Sequence, residues 1–234
     1  MSALDLVEAW NSRAAAFPAR PKAMRTAAAA AADLWLFAYG SLMWDPGFPY
    51  CDAKPATLHG RHRSFCVYSR GHRGTPDKPG LVLGLDRGGA CKGIAYRIPA
   101  VDVPRALAYL WGREMQSGVY RLKEMRVRLK GGRLVKALAF VVDRAHPSYA
   151  GGLSLAETAR LIHHGNGRRG SARDYLANTV EELGRLGVID RPLHRLQRYV
   201  TSMANGNGAA KRERRVTRIS NNRSSCTGRS LRPG

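Results

Sequence analysis

Between Leu34 and Val142 the apolar residues recur mainly in short, strand-length runs cut by glycine turns, and from Ser154 to Met203 they recur at helical spacing. The two periods bury different faces of the chain, so a sequence that changes period midway segregates its strands from its helices. Strands are expected at Leu34–Ala38, Ala56–Leu58, Arg63–Tyr68, Leu81–Asp86, Cys91–Ile98, Tyr120–Leu129 and Arg133–Val142. Arg87-Gly88-Gly89 and Gly131-Gly132 read as the turns between neighbouring strands. Val103, Leu107, Leu110 and Trp111 predict one helix, over Val101–Arg113. Ser154 with Glu157 three residues on is a capping box for a helix over Leu155–His164. Ser171 or Asp174 opens the next, Tyr175–Leu186, which Gly187 ends, and a last helix covers Arg191–Met203. This order is α+β and not the βαβα rhythm of a doubly wound sheet. Short strands joined by turns fit a small β-barrel-like sheet with surrounding helices.

The 234 residues carry a net charge of +22, from 39 Lys and Arg against 17 Asp and Glu. The excess is uneven. Residues 205–234 read as a basic disordered tail, in which Lys211, Arg212, Arg214, Arg215, Arg218, Arg223, Arg229 and Arg232 face one acid, Glu213. Such a tail offers nonspecific anion binding and little apolar surface to bury. Residues 1–33 read as an N-terminal appendage: a short amphipathic helix with Leu4, Leu6, Val7 and Trp10, then a linker holding Pro18, Pro21 and Ala27–Ala32. The span 34–204 is the folded domain. Cys51, Cys66, Cys91 and Cys226 form no C-x-x-C pair, and residues 1–20 lack the apolar core of a signal peptide. Reduced thiols in a cytoplasm are the expectation. No stretch of 18 apolar residues exists, so no membrane insertion is expected.

The stretch Phe37-Ala38-Tyr39-Gly40-Ser41-Leu42 ends a buried strand on Gly-Ser. A strand loses stability on taking a Gly, so a Gly-Ser step at its mouth points to close approach of something to the backbone. The frame is not G-x-S-x-G, so a nucleophile elbow is absent. Ser41 stands open as a nucleophile, as a backbone or hydroxyl ligand, or as part of a plain turn. His59, His62, His72, His163 and His164 lack a metal-ligand spacing, and Arg61 and Arg63 beside the first two disfavour a divalent ion; no metal is expected. Among the few acids, Glu114 follows the helix over Val101–Arg113. A carboxylate there, beside Trp111 and Met115, is either a desolvated general base or one half of a surface ion pair with Arg113. Glu124 is the weaker candidate.

Six segments, in this order and spacing, resemble the ChaC family of glutathione-specific γ-glutamylcyclotransferases. They are LWLFAYGSLMWDPGFPY, HRGTPDKPGLVLGL, GIAYRI, YLWGREMQSGVYRL, AFVVDRAHPSYAG and RDYLANTV, between about Asp33 and Leu196. The resemblance implies a mixed α/β, barrel-like fold, cleavage of glutathione to 5-oxoproline and Cys-Gly, and no cofactor. It implies that Leu36, Phe37, Ala38, Tyr39, Gly40, Ser41 and Leu42 bind the γ-glutamyl group and that Glu114 is the catalytic carboxylate. Met115-Gln116-Ser117-Gly118-Val119 departs from the Lys- and Gly-containing stretch common in the family, which bears on substrate preference.

The reaction suits these residues. An α-amine attacking its own γ-carbonyl needs one group to take a proton and return it to the leaving amine. It needs backbone donors for the oxyanion, for which the Gly40–Leu42 amides are candidates. Being intramolecular, it draws much of its rate from positioning. Three other readings stay open: a cyclotransferase for another γ-glutamyl amine or dipeptide, a basic nucleic-acid-binding protein, and a regulatory subunit of a cation transporter.

Overall fold

Strand β1 (Leu34–Ala38) is apolar on both faces because both faces are covered: Leu36, Phe37 and Ala38 are 0% exposed. The computed structural model describes residues 32–114 and 117–204. The expected N-terminal helix and the basic tail lie outside the described residues. β1 pairs antiparallel with β3 (Gly80–Ile98), in register Leu36↔Tyr96, and parallel with β5 (Leu134–Val142), in register Leu36↔Leu138. With β2 (Asp52–Ser69) and β4 (Tyr120–Leu129) these strands close a barrel in the order β1-β3-β2-β4-β5. Closure leaves the barrel strands without a free edge.

Two expectations are corrected. The separate strands at 56–58 and 63–68 are one strand, β2, and the separate strands at 81–86 and 91–98 are one strand, β3. The two pair along nearly their whole length as a ribbon. Arg87-Gly88-Gly89 is therefore not a turn between strands. Gly88 and Gly89 have φ of 94° and 68°, and Gly60 opposite has 76°. Together they form an irregularity where the register shifts between His59 and Arg61. Glycine at positive φ serves a bulge as well as a turn, and a bulge bends a long ribbon without ending it. The β4–β5 hairpin does turn at Gly131-Gly132, with φ of 96° and 92°.

The helices form as the periodicity predicts. α1 (Val103–Glu114) buries Val103, Ala106, Leu107, Leu110 and Trp111. α2 (Leu155–His164) starts in the Ser154/Glu157 capping box. α3 (Ala172–Arg185) is capped by Ser171, whose hydroxyl accepts from the Asp174 amide, and the last helix, α4, covers residues 191–204. Two two-residue strands, β6 (Asn166–Gly167) and β7 (Gly170–Ser171), form a small hairpin between α2 and α3. It is tied to the β2–β3 loop: the amides of Arg168 and Arg169 donate to the carbonyls of Gly71 and His72 at 3.0 and 2.9 Å.

β3 passes β1 closely at Gly93. A Cβ there would lie 2.1 Å from the Ala38 carbonyl oxygen and 3.1 Å from the Phe37 ring. The Ala38 carbonyl is backbone and cannot move without disturbing the β1–β3 ladder. Gly93→Ala is expected to cost about 1–3 kcal/mol through overpacking. At roughly 2–4 °C per kcal/mol for a domain of this size, a thermal melt should show a clear drop in Tm. An unchanged Tm would mean the two strands are not held this tightly.

Candidate active site

The carboxyl end of β1 delivers Tyr39 and Gly40 into a single 3₁₀ turn, Ser41–Met43. Three groups hold the chain there. The Arg63 guanidinium, almost wholly buried, donates to the Tyr39 carbonyl at 2.7 Å and to the Lys92 carbonyl of β3, and pairs with Asp190 at 3.0 Å. From the other side Arg113 of α1 donates to Ser41 Oγ at 2.9 Å, to the Asp45 carbonyl at 2.6 Å and to the Tyr109 hydroxyl at 2.8 Å. Tyr96 of β3 donates to the Met43 carbonyl at 3.0 Å. The loop after β1 is thus fixed by hydrogen bonds from β2, β3 and α1, two of the three donors being guanidiniums, the stronger kind.

This loop forms one wall of a cleft of about 170 Å³. Ser41, Arg73, Glu114, Tyr120, Arg169 and Tyr175 are among its lining residues. Glu114, the last residue of α1, is 17% exposed in its side chain and lies 3.5 Å from the Arg113 Nε. Burial pushes its carboxyl above the ordinary value of 4.5, and the positive charges of Arg113 and Arg169 oppose the shift. The carbonyl end of a helix also disfavours negative charge, in the same direction as burial. Burial above all, with the negative charge of Glu114 among the lesser causes, raises three phenols: Tyr39 and Tyr120 well above their ordinary value, Tyr175 to about 12. The Tyr120 hydroxyl donates to the Leu83 carbonyl at 2.7 Å. The backbone amides of Ser41 and Leu83 face the Tyr175 hydroxyl. Arg73 lies over the Tyr175 ring at 5.3 Å and donates to the carbonyls of Arg169 and Ser171.

The residues singled out from the sequence divide into two groups. Ser41 and Glu114 line the cleft, with Tyr39 beside them, its hydroxyl close enough to Glu114 to feel its charge. Leu36, Phe37 and Ala38 are enclosed in β1 and Leu42 is buried under the turn, so they support the loop from beneath. Gly40 has φ of −131°, with no positive-φ demand. Its lack of a Cβ serves Tyr175 instead, because a Cβ would sit 2.8 Å from that hydroxyl. Glu124 lies on β4 and pairs with Lys136 at 3.1 Å, away from the cleft. The sequence reading missed Arg73, Tyr120, Arg169 and Tyr175. They come from the β2–β3 loop, β4, the β6–β7 hairpin and α3, and no local spacing links them. Among the described residues, no three His, Cys, Asp or Glu side chains gather where they could hold a metal ion.

Placed against known proteins, the chain belongs to the ChaC-like protein family, whose profile matches residues 34–203. It is 38% identical over 163 residues to a glutathione-specific γ-glutamylcyclotransferase of Escherichia coli, covering 70% of this chain and 71% of that protein. It is 35% identical over 152 residues to glutathione-specific γ-glutamylcyclotransferase 1 of Homo sapiens, covering 63% and 68%. The crystal structure of the glutathione-specific γ-glutamyl cyclotransferase from yeast shares the fold, with a TM-score of 0.68 at 24% identity over 73% of this chain and 96% of that one.

The contact between Gly40 and Tyr175 gives a test. Gly40→Ala should lower Tm by a few degrees, corresponding to about 1–2 kcal/mol. In a Tyr175→Phe background, where the obstructing oxygen is gone, the same substitution should cost much less. Thermal melts of the four proteins measure this coupling. Strictly additive shifts would show that the two residues do not meet.

Proposed function

We propose that this chain is a γ-glutamylcyclotransferase that converts glutathione to 5-oxoproline and Cys-Gly, with Glu114 as its general acid and base. The observation that carries the reading is a carboxylate desolvated in a cleft with three guanidiniums, Arg73, Arg113 and Arg169, against the loop that ends β1. The names of the relatives support it. The α-carboxylate of an amino-acid head group suits this charge pattern, since guanidiniums bind carboxylates in bidentate fashion.

In the proposed reaction the γ-glutamyl α-ammonium gives a proton to Glu114. The freed nitrogen attacks its own γ-carbonyl carbon, and a five-membered ring closes. Negative charge gathers on the carbonyl oxygen. The 3₁₀ turn takes its first internal hydrogen bond from the Met43 amide to the Gly40 carbonyl, so the Leu42 amide is not spent within the turn and serves as a donor to that oxygen. The Tyr175 hydroxyl, itself faced by two amides, is a second donor. When the tetrahedral centre collapses, the bond to the cysteinyl nitrogen breaks and Glu114 returns the proton to that nitrogen; the carboxylate then takes the second proton from the ring nitrogen and passes it to the released amine, so that a lactam N–H and an ammonium remain. Water is not consumed. Ser41 is a structural ligand in this scheme: its oxygen accepts from Arg113, which cannot take a proton from it. Tyr39, Gly40, Ser41 and Leu42 hold the γ-glutamyl group through the loop, and Leu36, Phe37 and Ala38 hold the loop. The free thiols of Cys51, Cys66 and Cys91 suit the cytoplasm, where we propose the enzyme works. The basic tail is proposed as a nonspecific anion contact.

Incubation of the purified protein with glutathione, followed by mass spectrometry for 5-oxoproline, tests the reaction directly. Product from other γ-glutamyl dipeptides but not from glutathione would move the assignment to a different leaving group. Glu114→Gln should keep the fold and lose about 10²–10⁴-fold in kcat. Retention of more than about a tenth of the wild-type rate would remove Glu114 from the role.

The pH dependence has a definite sign. Glu114 accepts a proton only as a carboxylate, so activity should fall as pH drops through its raised pKa. The acid limb of kcat/KM should therefore lie above 4.5. Arg169 holds the pKa down, so Arg169→Gln should move the acid limb to higher pH. A limb that stays in place or moves to lower pH in this variant would break the link between limb and carboxylate.

A further inference from the structure

A second cleft, of about 300 Å³, adjoins the first. His72 and Val82 line both, so the two share a wall. The remainder of the second cleft is built by Tyr68, Arg70, Gly71 and Arg168, among others. Two guanidiniums stand in it. Arg70 lies 5.2 Å over the Tyr68 ring and donates to the Ser148 hydroxyl at 3.3 Å. The end of Arg168 lies over Gly71, with its Nη2 3.4 Å from where a Cβ would be. Neither forms an ion pair with an acid among the described residues, unlike Arg63, Arg97, Arg113, Arg121, Arg144 and Arg185. Two guanidiniums without an acidic partner in one concavity make a local positive potential that attracts an anion.

The first cleft holds the carboxylate and the loop that meet a γ-glutamyl group, and is the smaller of the two. A substrate that fills it must send its remaining part onward. Arg70 and Arg168 stand in the cleft on the other side of His72 and Val82. We propose that the second cleft receives the part of the substrate beyond the scissile amide, and that Arg70 and Arg168 bind a terminal carboxylate there. The substrate class follows: γ-glutamyl peptides whose leaving group ends in a free carboxylate. γ-Glutamyl amines and amidated peptides are discriminated against. This inference rests on the cyclotransferase reading for which end of the substrate lies where.

The test compares glutathione with its glycine amide, which differs only in the terminal charge. Both Arg70 and Arg168 are exposed at the rim, where one ion pair is worth a few-fold at most and two together on the order of tenfold. The wild-type protein should prefer glutathione by that factor in kcat/KM, chiefly through KM. Arg70→Gln combined with Arg168→Gln should bring the ratio of the two substrates close to one. Each single variant should fall between. A wild type that treats both compounds alike, or a double variant that keeps the wild-type ratio, would overturn the inference while leaving the cyclotransferase reaction intact. Should the wild type turn over neither compound, the reaction assignment fails on its own. Calorimetric binding of the same two compounds then decides the cleft: a carboxylate preference abolished in the double variant upholds it, and equal binding or none overturns it.

Discussion

Everything at the candidate site hangs from one strand. β1 has partners on both sides, antiparallel β3 and parallel β5, and this pairing closes the barrel. A strand bonded along both edges and enclosed on both faces has little freedom to shift, because slipping it by one residue would turn every side chain to the wrong face. The loop that leaves its carboxyl end inherits that rigidity. Arg63 and Arg113 then secure the loop from opposite sides, through the Tyr39 carbonyl and through Ser41 and Asp45. A site on such a support can hold its atoms to the tolerance that an intramolecular ring closure demands.

Two of the arginines that shape this end of the molecule work by different physics. Arg63 is buried, and its charge is tolerated because carbonyls and Asp190 surround it; removing any one partner would leave the others exposed to a low dielectric. Arg113 links the loop to α1 and at the same time lies beside Glu114, where it limits how far burial raises the carboxyl. Burial raises the Glu114 carboxyl above an ordinary carboxylate, and the two nearby cations oppose that rise. That balance suits the proposed role of Glu114, which is to take up a proton and release it within one turnover.

The long β2–β3 ribbon explains where the sequence reading went astray. Gly60, Gly88 and Gly89 carry positive φ, and glycine at positive φ is the usual mark of a turn. Here the glycines lie across from one another in a paired irregularity, so the ribbon bends and continues. Whether such residues end a strand depends on whether a partner strand is present, and that partner is up to about thirty residues away. The loop at the far end of the ribbon, with Arg73, then meets the β6–β7 hairpin, with Arg169, and supplies half of the cleft.

The sequence by itself determined the local matters: the change from strand to helical period, the strand β1 with its stop at Gly40-Ser41, the β4–β5 turn at Gly131-Gly132, the capping box at Ser154 and Glu157, and the nomination of Glu114 and the loop as site residues through their resemblance to a family. These follow from interactions over a few positions, which leave their trace in spacing. The tertiary structure alone decided the closure of the barrel, the burial that raises Glu114, and the gathering of Arg73, Tyr120, Arg169 and Tyr175 from four separate segments. It also decided why residue 40 is a glycine, since the constraint is the Tyr175 hydroxyl from α3 and not the residue's own φ. Burial and convergence are properties of the packed chain, set by contacts between residues far apart in sequence, and a single sequence carries no spacing that records them.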